Sequence, residues 1–132
     1  MNTIARFLGP LNGYTYAALR IVTGLLFMFH GSQKLLGWPV EPMAGLAPFV
    51  TYIAGPIELF GGALVMVGLL TRWSAFICSG QMAFAYWMAH AEKSVYPLLN
   101  GGELAVLFCF VFLYIASQGP GKWSIDATRG SG

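Results

Sequence analysis

Charge is what this chain has least of. Only 9% of its 132 residues are Asp, Glu, Lys or Arg, against roughly 25% in an ordinary soluble domain. A globule of this size in water needs a charged skin, so the shortage excludes the soluble class and leaves the bilayer as the solvent. Cysteine is also scarce. Cys78 and Cys109 lie in different segments, with no CxxC or Cys/His spacing that would hold a metal. The net charge is +2 and the basic residues are scattered, which excludes a nucleic-acid face. No Gly-rich turn of the dinucleotide-binding kind is present, so no flavin or nicotinamide cofactor is encoded. The opening MNTIARFLGPLNGYTY lacks the compact basic region, apolar core and cleavage site of a secretory signal. The first apolar segment is therefore expected to be retained.

What the chain has instead is apolar length. Hydrophobic residues make up 57%. A hydrocarbon layer of about 30 Å needs roughly 20 mainly apolar residues in a helix. Four stretches meet that need, about 14–36, 49–70, 73–91 and 98–117. They are too continuous for the alternating strands of a barrel. The expected fold is all-α, an integral membrane four-helix up-down bundle forming a single domain over 1–132. Thr71-Arg72 reads as nearly the whole link between the second and third spans, which makes them antiparallel neighbours. The link GWPVEPMAGLAP holds Pro39, Pro42 and Pro48 and cannot be a continuous helix.

Direction follows from the basic residues. Arg6, Arg72, Lys122 and Arg129 gather at one level, Lys34 and Lys93 at the other. The positive-inside rule then puts both termini on the cytoplasmic side of the membrane. Trp38, Trp73, Trp87, Tyr96 and Trp123 fall near span ends, as in an aromatic belt.

With that orientation, polar groups from all four spans reach the outer half. They are His30, Gln33 and Lys34, then Glu58, then His90, Glu92 and Lys93, then Asn100 and Glu103. His30 and Lys34 share a helix face with Phe27 beside them. Arg20 lies deeper, within about 80° of that face at 100° per residue. Gly55, Glu58 and Gly62 share a face, and small residues let helices approach, so Glu58 is expected to look inward. Asn100, Glu103, Leu107, Phe110 and Tyr114 share a stripe in the fourth span. Glu58 and Glu103 are expected to pair with Lys34, His30 or Arg20. Plain structural readings stand beside this one. Buried ion pairs can simply fix helix register. Glu92 and Lys93 suit snorkelling to the interface. His30, Glu58, His90 and Glu103 have no spacing that defines a metal site, and none is expected. The cysteines suit apolar packing.

These residues carry a resemblance. LRIVTGLLFMFHGSQKLLG, GPIELFGGALVMVGLLTR and NGGELAVLFCFVFLYIASQGPGKWSIDA occur in this order over most of the chain. They resemble the first, second and fourth helices and the tail of the DoxX family of small four-helix membrane proteins. Matching positions are Arg20, His30, Gly31, Lys34, Glu58, Asn100, Glu103, Gly119, Pro120, Gly121 and Asp126. The related DoxD and DoxA proteins form a thiosulfate:quinone oxidoreductase, and other members are linked to quinone, catechol or thiol stress. The resemblance therefore implies a redox-associated subunit that binds a quinone or a similar small aromatic. In that reading Glu58, His30 and Glu103 relay protons. Arg20, Phe27, His30, Lys34, Tyr86, Trp87, Asn100 and Phe110 form the binding pocket. Electrons would come from a partner protein. The alternatives are a non-catalytic structural or assembly subunit of a larger membrane complex, and, ranked last, a transporter built by homo-oligomerisation.

Overall fold

The computed structural model describes residues 2–132. The chain is all-helical, with no strand among the described residues. Helix α1 (Thr3–Leu8) starts at Asn2, whose side chain accepts from the Ile4 N–H at 3.0 Å. A 3-10 turn, Gly9–Leu11, leads into α2 (Asn12–Leu36). Its buried positions Ala17, Arg20, Gly24, Phe27 and Gly31 recur every three or four residues and form one face. Gly37 ends it at φ 64°, a left-handed conformation that suits glycine.

The helical run α3 (Val50–Val67) is composite. It holds two π-helical turns, Val50–Ala54 and Ile57–Gly61, and then α-helix Gly62–Val67. Pro56 stands between the two π turns. Proline has no N–H to give and its ring crowds the carbonyl four residues back, so the backbone widens around it. Gly68 stops α3, and α4 (Thr71–Ala85) starts three residues later. The turn is thus 68–70, and Thr71 and Arg72 belong to α4 rather than to the link expected from the sequence. A third π turn, Tyr86–His90, prolongs α4. The last apolar stretch is in two pieces. The single turn α5 (Pro97–Asn100) is cut from α6 (Glu103–Gln118) at Gly101, φ 71°. A short α7 (Ile125–Thr128) follows, capped by Ser124.

Neighbouring helices run antiparallel. Gly24 and Gly31 of α2 face Gly62 and Gly55 of α3 in reverse order, backbone against backbone. A Cβ added at Gly24 would lie 2.6 Å from the Gly62 carbonyl oxygen. Along α4 and α6, Arg72 bonds the carbonyls of Ala116 and Ser117, and Ser79 Oγ donates to the Cys109 carbonyl at 2.7 Å. Phe27 from α2 meets Phe112 and Phe108 of α6 at centroid distances of 4.7 and 5.3 Å. The core thus sits between α2, α3, α4 and α6, with Val65, Cys78 and Ile115 fully enclosed. By length and composition α3 is apolar enough to cross a membrane, with a mean hydropathy of 1.6. Helix α6 is apolar but only 16 residues long.

Candidate functional site

The close approach of α2 and α3 determines which side chains meet. Gly31 packs on the backbone of Gly55 and Leu59. Lys34, one turn beyond Gly31, stands beside Gly55, and Glu58 precedes Leu59; the long Lys34 side chain spans the interval and the two meet. Glu58 is 2% exposed, and its Oε2 lies 2.5 Å from Lys34 Nζ. Its Oε1 accepts from Gln81 Nε2 of α4 at 3.2 Å. The Lys34 ammonium and the Gln81 amide thus hold the two oxygens of the Glu58 side chain from two sides.

The cluster opens on a cavity of about 550 Å³, within the range of sites that hold a small organic molecule. Its polar lining is His30, Lys34, Glu58, Gln81 and His90. Phe27 and Phe108 line its apolar side, and the His30 ring stands edge-on to Phe108 with centroids 6.0 Å apart. Each of the three π turns contributes to the wall, through Ile53, Glu58 and His90 respectively. Such turns recur at functional sites because they re-aim side chains within a helix. His90 Nδ1 lies 3.0 Å from the Asn100 carbonyl. A carbonyl only accepts, so Nδ1 is the donor in this contact.

Gln81 is the residue that sequence reasoning missed. A carboxylate only accepts, so the Gln81 amide must present its NH2 to Glu58. Its Oε1 is then buried without a partner, the one such side-chain atom among the described residues. The available signal was a lone amide in the apolar run SAFICSGQMAF. His90 also belongs to the lining, and Phe108 takes the ring position expected of Phe110.

Several expected residues lie elsewhere. Arg20, wholly buried, sits ten residues before His30, about 15 Å along the helix at 1.5 Å per residue. Its guanidinium donates to the carbonyls of Val65, Pro120, Lys122 and Trp123 and so fastens the tail. Glu103 is exposed at the start of α6 and makes no salt bridge among the described residues. Phe110 and Trp87 are 63% and 67% exposed and face away from the cavity. Asn100 holds its own loop, giving Nδ2 to the Ser94 carbonyl and to the Tyr86 hydroxyl and accepting from the Gly102 N–H. Tyr86 is thereby tied to that loop and stacks on His90. The stripe expected in the fourth span is therefore turned outward. The buried face of α6 is Ala105, Phe108, Phe112 and Ile115. Phe27, His30, Lys34 and Glu58 do converge.

Away from the cavity, Asp126 closes the other end. It accepts from the N–H groups of Leu70 and Thr71 and from the Thr71 hydroxyl, at 3.0, 2.9 and 2.8 Å. Burial pushes its carboxyl up. The bonds from Thr71 and Leu70, with the Arg129 charge, outweigh burial and hold it below the usual carboxylate range.

Comparison with known proteins gives the following. The profile of the DoxX family matches residues 15–91. A Haemophilus influenzae protein named only as "Uncharacterized protein" is 39% identical over 119 residues, 86% of this chain and 89% of its own. A Bacillus subtilis protein named "Putative oxidoreductase CatD" is 41% identical over 112 residues, 82% of this chain and 81% of its own. The Escherichia coli "Inner membrane protein YqjF" is 29% identical over 114 residues, 81% of this chain and 85% of its own. No solved structure matches significantly.

Proposed function

Because the chain belongs to the DoxX family of membrane proteins, we propose that it binds a quinone or a similar small aromatic in the cavity, as part of a redox process. In this reading α2, α3, α4 and α6 cross the bacterial inner membrane as an up-down bundle with both termini in the cytoplasm. The basic groups Arg6, Arg72, Lys122 and Arg129 support that direction. The observation that carries the functional reading is the Glu58 carboxylate, buried between Lys34 and Gln81 on the wall of an aromatic-lined cavity. An ionisable residue held inside a membrane bundle is costly and usually functional. The relative named for oxidoreductase activity adds weight.

The chemistry asks for what these residues have. A quinone needs donors for its carbonyl oxygens, and Lys34 or His30 supplies them. Its two-electron reduction takes up two protons, and Glu58 or His30 can carry them within the cavity. The electrons come from a partner redox protein.

Titration of the protein in lipid nanodiscs with decylubiquinone tests this reading. Saturable binding is expected, weakened about tenfold or more by Ala105→Leu, which fills the cavity, and by Glu58→Gln. Absence of saturable binding, or binding indifferent to both substitutions, overturns it.

A further inference from the structure

We infer that the cavity opens sideways into the acyl chains of the bilayer, between α3 and α4, and that its ligand carries an apolar tail which leaves by that mouth past Phe49, Ile53, Phe84 and Met88. The inference rests on the membrane-crossing and aromatic-binding reading above. It names what that reading leaves open, a ligand delivered by lipid rather than by water. The observation behind it is how the lining is sorted. The polar lining residues His30, Lys34, Glu58, Gln81 and His90 are all buried or half-buried. The exposed lining residues all lack a polar side chain, and the large ones are Phe49, Ile53, Phe84, Met88 and Leu104. Glu41, Glu92, Lys93 and Glu103 are exposed, yet none of them lines the cavity. A mouth on water would hold the large apolar side chains in the solvent that least favours them. In hydrocarbon they cost nothing, and the polar groups behind them are kept from lipid.

The packing places the mouth. Towards the turn at 68–70, α3 and α4 touch. A Cβ added at Gly61 would lie 2.6 Å from Cys78 Sγ, and Gln81 reaches Glu58 at 3.2 Å. Further out, α4 packs far less against the first π turn, Val50–Ala54, than against the second. The Phe49 and Phe84 rings meet edge to face across this gap, with centroids 6.1 Å apart. Rotation of two side chains, not of backbone, widens it. The other flank of α4 is tied to α6 and its leading turn, where Ser79 bonds the Cys109 carbonyl and His90 that of Asn100. A tail gains little by exchanging lipid for apolar protein. Its effect is to keep the ligand in the membrane while the head group reaches the polar floor.

The experiment uses the full chain in nanodiscs and two probes, ubiquinone with its full isoprenoid tail and the same dimethoxy-methyl-benzoquinone head without a tail. Affinities are counted per concentration in the lipid, so that partition cancels. The full tail is too bulky to coil inside about 550 Å³. It binds only if it can leave the cavity into the bilayer. In wild type the tailed quinone is therefore expected to bind no more than about threefold more weakly than the tail-less one. In Ile53→Trp, which narrows the mouth, the ratio of tailed to tail-less affinity is expected to fall about tenfold or more. A ratio within one protein is insensitive to any general loss of stability. Val22 is exposed on α2 and is not part of the cavity wall, so Val22→Trp should keep the wild-type ratio. Binding of the tail-less quinone without the tailed one overturns the inference and leaves the aromatic-binding reading standing. An Ile53→Trp ratio equal to that of wild type overturns the placing of the mouth between α3 and α4. No saturable binding of either quinone overturns both readings together.

Discussion

Lys34 and Glu58 form the one salt bridge among the described residues, at 2.5 Å, from two helices that touch through glycines one turn away. Their side chains are 17% and 3% exposed, so neither charge is well hydrated. Removing one partner strands the other. Lys34→Met is expected to cost about 3–5 kcal/mol, the range for breaking a buried pair. Glu58→Gln, which leaves a neutral amide, should cost less. The double variant should be more stable than Lys34→Met alone, because no uncompensated carboxylate remains. Unfolding of all four proteins in detergent, read as a double-mutant cycle, checks the sign. A Lys34→Met protein as stable as wild type contradicts the pairing.

Arg20 is expected to hold the tail rather than a ligand. Its planar fork reaches four carbonyls on two segments, those of Val65, Pro120, Lys122 and Trp123. Lysine keeps the charge but has a single nitrogen and cannot span them. Arg20→Lys should therefore destabilise by roughly 2–4 kcal/mol, as for loss of a buried network. It should also free the chain after Gly119, so that trypsin cuts after Lys122 faster than in wild type. Unchanged cleavage would show that the tail is held by other contacts.

The legible parts of this molecule were those with a marked face. In α2 the spacing of Arg20, Phe27, His30 and Lys34 and the stop at Gly37 could be read directly. In α3 Gly55 and Gly62 marked the face that approaches α2, and Glu58 lies on it, as its burial confirms. Helix α6 offered no such mark. Nearly every side chain from Leu104 to Ile115 is apolar, so periodicity cannot tell core from lipid. Its phase was therefore set from Asn100 and Glu103. The break at Gly101 uncouples Asn100 from α6, and Glu103 stands exposed on its first turn, which rotated the expected face outward. The partners of Arg20 were illegible for another reason. They are backbone carbonyls, which every residue possesses, so only the folded path of the tail selects them.

Asp126 should make stability depend on acid. Its carboxyl titrates below the ordinary carboxylate value of about 3.9 because Thr71 and Leu70 bond the charged form. A carboxyl depressed by folding contributes stability that is fully present above the unfolded value. That contribution is lost as pH falls through the folded one. At pH 7 Asp126→Asn should melt lower than wild type. Below about pH 4 the gap should narrow, since wild type then loses what the variant never had. Melting curves of the pair from pH 3 to pH 7 give the difference, in which the other carboxylates cancel. A gap that stays constant over that range contradicts the role of the charge.

Two glycines provide opposite tests of the α2–α3 contact. At Gly80, on the open side of α4, an added Cβ meets nothing within 4 Å. Gly80→Ala should therefore stabilise by about 0.5–1 kcal/mol through helix propensity alone. At Gly31 the added carbon strikes the Leu59 backbone, with the Leu59 Cα at 2.7 Å and the Gly55 carbonyl oxygen at 2.7 Å. Backbone cannot rotate aside as a side chain can, so α2 and α3 must separate. Gly31→Ala should cost about 1–3 kcal/mol, the usual range for overpacking. The separation also pulls Lys34 from Glu58, since Lys34 lies one turn from the contact and Glu58 adjoins Leu59 within it. Gly31→Ala should thus weaken aromatic binding although residue 31 is not part of the cavity wall, while Gly80→Ala leaves binding as it was. If Gly31→Ala binds and melts like wild type, the helices are not in backbone contact there, and the ion pair must owe its geometry to something else.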